Sequence, residues 1–471
     1  MSAGPPRERL PCPVRRWARE RPEGAAMVTP ERVWTWAALD QEVTAWAAGL
    51  HAAAPTGTRV AVRAETTPRF VALLLAALRT GHVLAPLSPR LPEAAVQEHL
   101  DRIACRGLLD LDATPLPRAS PSDPRPLDLL LDRPATVVFT SGSTGTPKAA
   151  QLTAGNHVWS ARGWAERLPL GPGDRWLLDL PLSHVGGLAV VYRCALAGAA
   201  VAIPSPRTPT GEAVRRLGAT HASLVSTQLR RLLRDAGEPL PTLRALVLGG
   251  SAIPSALLDD AHAAGLPVAT SYGLTEMAST VTATAPGAAR ADLGTSGRLL
   301  PYRDLRIREG ERGSVPQEIE VRGATRFAGY VDGDALTTPF DDDGWFATGD
   351  LGHLDGAGRL VVTGRRDNRF VSGGENVQPE AIEAALLALP GVARAVVVPV
   401  PDAEFGLRPA AFVVTASGKA PDGPALAAAL RERLPGYLVP VAFLRWPEGE
   451  GGLKPRRTAL RDVAARQGRS D

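Results

Sequence analysis

The segment VVFTSGSTGTPKAAQLT, residues 137–153, decides the fold. Its apolar beginning predicts a strand that runs into a loop of glycines and hydroxyl residues closed by Lys148. Glycines let backbone N–H groups converge, hydroxyls add donors, and the lysine adds a positive charge, so the loop suits a polyphosphate. It is not a Walker loop, because Pro147 precedes the lysine and no Ser or Thr follows it. A solvated linker is the alternative, but a buried strand end in an α/β sheet is where ligands bind.

Helical and strand patterns alternate outward from this loop. Helices are predicted at TWAALDQEVTAWAAGLHAA (35–53) and FVALLLAALRTG (70–81). Strands are predicted at RVAVRA (59–64), VLAPLSP (83–89), WLLDLP (176–181), ALVLGG (245–250), PVATSYG (267–273), EIEVRG (318–323) and RLVVTG (359–364). The alternation predicts an α/β fold with mostly parallel, buried sheets. The proline-rich stretch 113–134 is expected to be a surface connection.

A second, smaller unit follows the pattern GRRDN. Its predicted elements are a helix at PEAIEAALLAL (379–389), strands at ARAVVVPVP (393–401) and AAFVVTAS (410–417), and a helix at PALAAALRERL (424–434). We therefore expect a large domain of α/β subdomains over residues 1–366 and a small α+β domain over residues 367–471.

Composition excludes several classes of function. The 53 basic and 49 acidic residues among 471 are interspersed and leave a net charge of +4, which gives no reason to expect nucleic acid as a partner. The longest apolar runs are far below the roughly 18 residues of a membrane span, so neither insertion nor export is expected and a cytoplasmic location is predicted. Three scattered cysteines, in no metal-ligand spacing, are typical of reduced thiols.

Lysine is rare: arginine outnumbers it 50 to 3. Lys419 lies in an ordinary polar loop, whereas Lys148 closes the phosphate loop and Lys454 stands in the tail segment GGLKPRR. A chain that uses arginine for routine positive charge favours a chemical role for these two lysines, with an unspecialised solvated lysine as the alternative.

The loop resembles the phosphate-loop signature of the adenylate-forming enzymes, the family of acyl-CoA synthetases, nonribosomal adenylation domains and luciferases. The resemblance continues in order through VLGGSAIP (247–254), SYGLTEMAST (271–280), GWFATGD (344–350), VTGRRDNRF (362–370) and GGLKPRR (451–457). It implies that ATP and AMP are bound by Thr140, Ser141, Gly142, Ser143, Thr144, Gly145, Gly249, Gly250, Ser251, Tyr272, Gly273, Asp350 and Arg365.

The resemblance also implies the chemistry: a carboxylic acid is activated as an acyl-AMP and the acyl group passes to CoA. The implied catalytic residues are Lys454, Lys148, Thr275 and Glu276, with Glu276 holding Mg²⁺. The physical case agrees, because a carboxylate attacking the α-phosphate brings two anions together and the site must neutralise their charge. The alternatives are that Glu276 caps a helix and that Asp350 only closes a turn.

A second half-reaction implies a mobile small domain. In the family this domain rotates about a hinge, here Asp367, and presents a glycine-rich loop to the thiol, here Gly373 and Gly374. Asp367 as a simple turn residue is the alternative. Several relatives have a lysine where this chain has Val371, so any role of that lysine in the thiol step is absent.

Four segments, two of them overlapping those above, resemble the o-succinylbenzoate–CoA ligase branch of the family, which serves menaquinone biosynthesis: 180–193, 221–233, 271–280 and 364–383. Arg193 lies in an otherwise apolar stretch, where a guanidinium is costly unless paired. A dicarboxylic substrate would pair with it through one carboxylate while the other is adenylated; an internal Asp or Glu is an equal alternative. His184, Gln228 and Ser279 complete the candidate acyl pocket, each with a structural alternative.

Two other functions stay open at this point. Another aryl- or acyl-CoA ligase fits the same motifs, and so does a stand-alone adenylation enzyme that loads a carrier protein. A fused carrier is not expected, since few residues follow Lys454. The predicted partners are a small carboxylic acid, ATP and CoA, and a homo-oligomer is compatible with the sequence.

Overall fold

A computed structural model describes residues 8–111, 128–140, 147–235, 239–308, 317–372, 375–402, 404–447 and 457–467. Its helices are α1 (Pro13–Glu20), α2 (Trp36–Ala53), α3 (Pro68–Thr80), α4 (Glu93–Arg102), α5 (Ala154–Ala165), α6 (Val185–Ala197), α7 (Thr210–Leu217), α8 (Ser226–Asp235), α9 (Ser255–Ala263), α10 (Arg290–Leu293), α11 (Pro379–Leu387), α12 (Gly423–Arg431) and α13 (Arg457–Gln467).

The strands run from the N-terminal region to the small domain. They are β1 (Arg9–Pro11), β2 (Ala25–Val28), β3 (Val33–Thr35), β4 (Arg59–Arg63), β5 (Val83–Leu87), β6 (Leu108–Leu109), β7 (Asp128–Leu130), β8 (Pro134–Thr140), β9 (Lys148–Thr153), β10 (Arg175–Leu177), β11 (Ala200–Ala202), β12 (His221–Leu224), β13 (Ala245–Leu248), β14 (Val268–Leu274), β15 (Ser279–Ala283), β16 (Arg298–Leu299), β17 (Arg303–Ile307), β18 (Gln317–Gly323), β19 (Gly329–Asp332), β20 (Ala335–Thr337), β21 (Phe346–Leu354), β22 (Leu360–Arg365), β23 (Phe370–Ser372), β24 (Glu375–Val377), β25 (Val392–Asp402), β26 (Gly406–Thr415) and β27 (Ala442–Arg445).

Two large sheets carry the fold of the large domain. One has the order β16-β15-β14-β13-β12-β10-β11-β2-β3, and its six inner strands from β14 to β2 are parallel. The other has the order β20-β19-β9-β8-β5-β4-β6, with β8, β5, β4 and β6 parallel. The predicted α/β class is confirmed, and parallel pairing holds for the buried centres of both sheets, where apolar runs have no polar face.

Antiparallel pairs occupy the edges. Strand β9 turns back on β8, β19 pairs with β9, and β15 turns back on β14. A separate four-stranded sheet, β17-β18-β21-β22, is antiparallel throughout. A side-chain hydrogen bond from Tyr272 on β14 to Asp350 on β21 joins two of these sheets.

Helix α3 shows how the apolar sequence builds the core. Thr67 caps it by accepting a hydrogen bond from the Phe70 amide, and every residue from 70 to 78 is buried. A helix that is apolar on all sides has to be enclosed on all sides. It belongs to the main hydrophobic cluster, together with the fully buried indoles Trp36, Trp46, Trp164 and Trp176.

The expectation of an uninterrupted surface connection over 113–134 is wrong at its end. Asp128–Leu130 forms β7, which pairs antiparallel with β1, and Leu129 is buried. The pairing links this stretch to the N-terminal region, a contact that local sequence does not encode. Residues 112–127 lie outside the described part of the chain.

The small domain has its own core. Helix α11 packs on β25 of the three-stranded sheet β25-β26-β27, and a separate apolar cluster includes Ile382, Leu386 and Val397. The 3-10 turn Arg366–Asn368 connects β22 with β23, near the predicted domain boundary. Among the described residues, no helix is long and apolar enough to cross a membrane.

Candidate active site

The predicted phosphate loop lies between β8 and β9 in the sequence. Thr140 is the last residue of β8 and lies opposite Lys148, the first residue of β9. The loop residues Ser141, Gly142, Ser143, Thr144 and Gly145 lie outside the described part of the chain. The pairing of β8 with β9 therefore fixes the two ends of the loop opposite each other.

Lys148 lies beside Tyr330. Its Nζ is 5.1 Å from the centre of the Tyr330 ring, within the range of a cation–π contact. The Tyr330 hydroxyl donates a 2.7 Å hydrogen bond to Oε1 of Glu276. Burial and the negative charge of Glu276 both raise the pKa of Tyr330, so the phenol stays protonated and remains a donor. The three side chains form one cluster of a cation, an aromatic ring and a carboxylate.

Glu276 suits a magnesium ion. Only its Oε1 is hydrogen-bonded by the described residues, which leaves Oε2 as a carboxylate ligand. Mg²⁺ typically takes one or two carboxylates and completes its shell with phosphates and water. In keeping with this, the described residues contain no cluster of three or more His, Cys, Asp or Glu that would form an all-protein metal cage.

A second cluster joins Tyr272, Asp350 and Arg365. The Tyr272 hydroxyl donates to Oδ2 of Asp350 at 2.7 Å, and Nη1 of Arg365 donates to Oδ1 at 2.9 Å. Asp350 and Arg365 lie directly opposite each other on β21 and β22. Burial raises the pKa of Tyr272 and of Tyr330, and the positive charge of Arg365 opposes that rise in both. Arg365 thus lies near both clusters, which form one site.

The glycine turn follows β13. A Cβ on Gly249 would lie 2.6 Å from Oγ of Ser271 on the neighbouring β14, so a larger residue there would displace the Ser271 hydroxyl. Gly250 and Ser251 continue this turn, and Gly273 and Thr275 follow at the end of β14. These residues line the carboxyl ends of adjacent parallel strands, where α/β sheets bind ligands.

Arg193 is the central residue of the predicted acyl pocket. It lies on α6 and is 5% exposed, with its Cζ 4.7 Å from the Trp164 ring centre and 5.3 Å from that of Trp176. Its Nη2 reaches the hydroxyls of Ser279 at 3.4 Å and Thr280 at 3.3 Å. Burial, and then the positive charge of Arg303, lower the pKa of Arg193 to about 9.

The internal acid that was the alternative partner of Arg193 is not found. Over the ranges that the structure describes, no Asp or Glu forms an ion pair with Arg193, and its Nε has no hydrogen-bond partner. The adjoining Ala278 and Ser279 have φ angles of 51° and 101°, which are rare for residues other than glycine. Strain of this kind is concentrated at functional sites.

The other two pocket candidates differ in their surroundings. His184 is exposed at the N-terminus of α6, two and a half turns before Arg193. Gln228 accepts a hydrogen bond from the Val225 amide and donates one to the Asp179 carbonyl. Its amide is therefore engaged in holding the start of α8, the structural alternative noted for polar residues of this type.

The predicted hinge region connects to a partly buried ionic network. Asp367 lies 3.6 Å from Arg365, and Asn368 donates to Glu380 on α11. Arg457, three residues after Lys454, binds Glu380 at 3.3 Å and Glu383 at 2.8 Å. Sequence reasoning missed this network, although the spacing of Glu380 and Glu383 places them on one helix face. Lys454, Gly373 and Gly374 lie outside the described residues.

Comparison with known proteins identifies the family. The sequence pattern of the AMP-binding enzymes matches residues 14–331, and that of the AMP-binding enzyme C-terminal domain matches residues 381–448.

The chain belongs to the AMP-binding enzyme family.

Within this family, similarity is high to enzymes of one kind. A 2-succinylbenzoate–CoA ligase of Salmonella typhimurium is 38% identical, covering 95% of this chain and 96% of the relative. A solved Escherichia coli MenE variant with bound OSB-AMS is 34% identical with a TM-score of 0.84, covering 97% and 99%. Bacillus subtilis MenE in complex with ATP and magnesium ion is 28% identical with a TM-score of 0.84, covering 93% and 96%. The predicted resemblance is confirmed.

Proposed function

We propose that this AMP-binding enzyme is an o-succinylbenzoate–CoA ligase that consumes ATP and forms o-succinylbenzoyl-CoA, AMP and pyrophosphate. The assignment of the substrate rests on Arg193, a buried guanidinium without an acidic partner among the described residues. A dicarboxylic acid supplies the missing partner through one carboxylate and leaves the other for activation. The named relatives act on the same acid.

The first half-reaction takes place at the joined clusters. A carboxylate oxygen of the acid attacks the α-phosphorus of ATP, and the bond from that phosphorus to the β-phosphate oxygen breaks, releasing pyrophosphate. The ring of Tyr272 lies beside the adenine, and Asp350 accepts hydrogen bonds from the ribose hydroxyls. The phosphates are held by Thr140, Thr275 and the glycine-rich loop.

Charge neutralisation comes from three sources. Lys148, held against the Tyr330 ring, and Lys454 of the small domain offset the charge of the approaching carboxylate and phosphates. Glu276 would hold Mg²⁺, which supplies further positive charge at the phosphates when bound. Tyr330 fixes the carboxylate of Glu276 through its hydroxyl.

The second half-reaction transfers the acyl group to CoA. The thiol loses its proton to solvent, its sulfur forms a bond to the acyl carbonyl carbon, and the bond from that carbon to the AMP oxygen breaks. We infer that the small domain turns about Asp367 between the two steps and offers the Gly373–374 loop to the pantetheine arm. The reaction belongs to menaquinone biosynthesis, and we place it in the cytoplasm.

The experiment that tests the substrate is Arg193→Met, which removes the charge and keeps much of the volume. Two analogues, 4-oxo-4-phenylbutanoate and 2-butanoylbenzoate, each lack one carboxylate of o-succinylbenzoate, and the one that is adenylated serves as the comparison. We expect the KM for o-succinylbenzoate to rise by about 30-fold or more, the scale of roughly 2–5 kcal/mol for truncating one partner of a buried pair, with little change for the analogue.

Stability gives a second readout. Removing an unpaired buried charge should leave the melting temperature of the free enzyme unchanged or raise it, whereas removing a structural ion pair would lower it. Arg216→Met, at an exposed position on α7, is the matched control. Equal loss of both substrates together with a lower melting temperature would contradict the proposal.

A further inference from the structure

A second buried arginine lies close to the acyl pocket and is not explained by the fold. Arg303 begins β17 and is 4% exposed. Its Nη2 lies 3.4 Å from the Ser160 carbonyl, while Nε and Nη1 have no hydrogen-bond partner. In the chain as described, no carboxylate forms an ion pair with it. A guanidinium buried to this extent, with two donor atoms unused by the described residues, is costly, so a ligand is expected.

Arg303 packs closely against helix α5. Gly163 lies in this helix, and a Cβ at that position would lie 2.7 Å from both Nη1 of Arg303 and the backbone carbonyl oxygen of Pro301. Glycine within a helix is destabilising relative to alanine. An apolar residue in place of Arg303 would fill this space without a buried charge, which makes a space-filling role a poor explanation.

Arg193 and Arg303 are both connected to the turn formed by residues 278–280, Arg193 directly and Arg303 through Ser160. Arg193 contacts the hydroxyls of Ser279 and Thr280. Arg303 contacts the carbonyl of Ser160, whose own hydroxyl donates a 2.7 Å hydrogen bond to the carbonyl of Ala278. Residues 278–280 are therefore linked to both guanidiniums, and the charge of Arg303 helps to lower the pKa of Arg193. Two positive charges in one buried region repel each other unless a bound anion compensates them.

The outer surface does not supply that anion. Arg303 also borders an open groove lined by Glu166, Arg167 and residues 299–301. Glu166 is exposed, and no ion pair joins it to Arg303 in the described ranges. The acid that lines this groove therefore leaves the Arg303 charge uncompensated.

We propose that Arg303 is the second guanidinium of a carboxylate subsite at the end of the acyl pocket and binds the free carboxylate of the substrate together with Arg193. The inference rests on the proposed function, since it takes the dicarboxylic acid as the ligand. A carboxylate has two oxygens and about four acceptor positions, so two guanidiniums from different elements can bind it at once. Arg303 then determines specificity: it favours a dicarboxylic acid over an analogue with one carboxylate.

The test is a double-mutant cycle with Arg193→Met, Arg303→Met and the combined variant. Adenylation is measured as ATP–pyrophosphate exchange with o-succinylbenzoate and with the reactive one of the two monocarboxylic analogues. Arg303→Met is expected to raise the KM for o-succinylbenzoate by about 10- to 100-fold, the scale of one lost charge-assisted hydrogen bond, and to change the KM for the analogue by less than about threefold. If both arginines bind one carboxylate, the combined variant loses less than the product of the two single losses.

The outcomes separate this inference from the proposed function. If Arg193→Met discriminates between the substrates and Arg303→Met does not, the function stands and the Arg303 subsite is excluded. If Arg303→Met lowers activity with both substrates equally and lowers the melting temperature, its role is structural and the inference is wrong. If the wild-type enzyme does not use o-succinylbenzoate, the proposed function itself fails. Arg303→Lys, which keeps the charge, is expected to restore part of the preference for the dicarboxylic acid.

Discussion

Replacing Tyr330 by phenylalanine removes one hydroxyl from the active site and leaves the ring in place. The hydroxyl donates a 2.7 Å hydrogen bond to Glu276, and the ring lies 5.1 Å from Nζ of Lys148. A hydrogen bond to a charged group contributes roughly 1.5–3 kcal/mol. Because 1.4 kcal/mol is a factor of ten, Tyr330→Phe should lower kcat/KM for adenylation by about 10- to 150-fold.

The second variant separates the two contacts of Tyr330. Tyr330→Ala also removes the ring under Lys148, and a cation–π contact is worth about 0.5–2 kcal/mol. We therefore expect Tyr330→Ala to be a further twofold to 30-fold slower than Tyr330→Phe. Tyr437→Phe, in the small domain, is the matched control and should behave as wild type.

The assay is ATP–pyrophosphate exchange over a range of Mg²⁺ concentrations. A freed Glu276 carboxylate should hold the ion less well, so the Mg²⁺ concentration for half-maximal rate should rise in Tyr330→Phe. The phenol contributes no ionisation of its own between pH 6 and 9, since burial and Glu276 raise its pKa. A Tyr330→Phe enzyme within twofold of wild type at every Mg²⁺ concentration would refute the reasoning.

Two further predictions concern Lys454 and His157. Lys454→Ala should slow adenylation by roughly 10²- to 10³-fold and leave transfer from preformed acyl-AMP to CoA intact, because the proposed mechanism uses this cation only in the first step. Equal loss in both half-reactions would argue against this role. His157 is buried, its Nε2 lies 2.8 Å from the Thr136 hydroxyl, and burial lowers its pKa to about 3. In the unfolded chain this imidazole binds a proton below about pH 6.5, but in the native state only below about pH 3. The free energy of unfolding therefore falls as pH drops through this window, by about 3 kcal/mol between pH 7 and 4. Urea unfolding of His157→Gln should show a smaller pH slope than wild type, whereas exposed His262→Gln should keep the wild-type slope.

The candidate nucleotide site could be predicted in part because its motifs are local. Thr140 and Lys148 lie opposite each other on β8 and β9, and Asp350 and Arg365 lie opposite each other on β21 and β22. Their proximity follows from short chain connections. Tyr330 was missed because it meets Glu276 only after β19 pairs with β9, a long-range contact that no local pattern predicts.

The acyl pocket shows a different limit of sequence reasoning. Arg193 was identified because it interrupts an apolar stretch, whereas Arg303, in the segment YRDLRI, was not singled out. The sequence did contain a signal. Alternate residues of a strand lie on one face, so Arg303 shares the inward face of β17 with Leu305 and Ile307, where a charged residue is unusual. The strand β7 had no such signal, because its partner β1 lies more than a hundred residues away.

The central claim is tested most directly by CoA-dependent release of AMP from ATP and Mg²⁺. The acids to compare are o-succinylbenzoate, benzoate, a medium-chain fatty acid and a small panel of amino acids. The account predicts strong preference for o-succinylbenzoate with CoA as the acceptor. Turnover with another acid alone would be compatible with the adenylating chemistry but would contradict the roles given to Arg193 and Arg303. Formation of acyl-AMP without transfer to CoA would contradict the proposed CoA ligase activity.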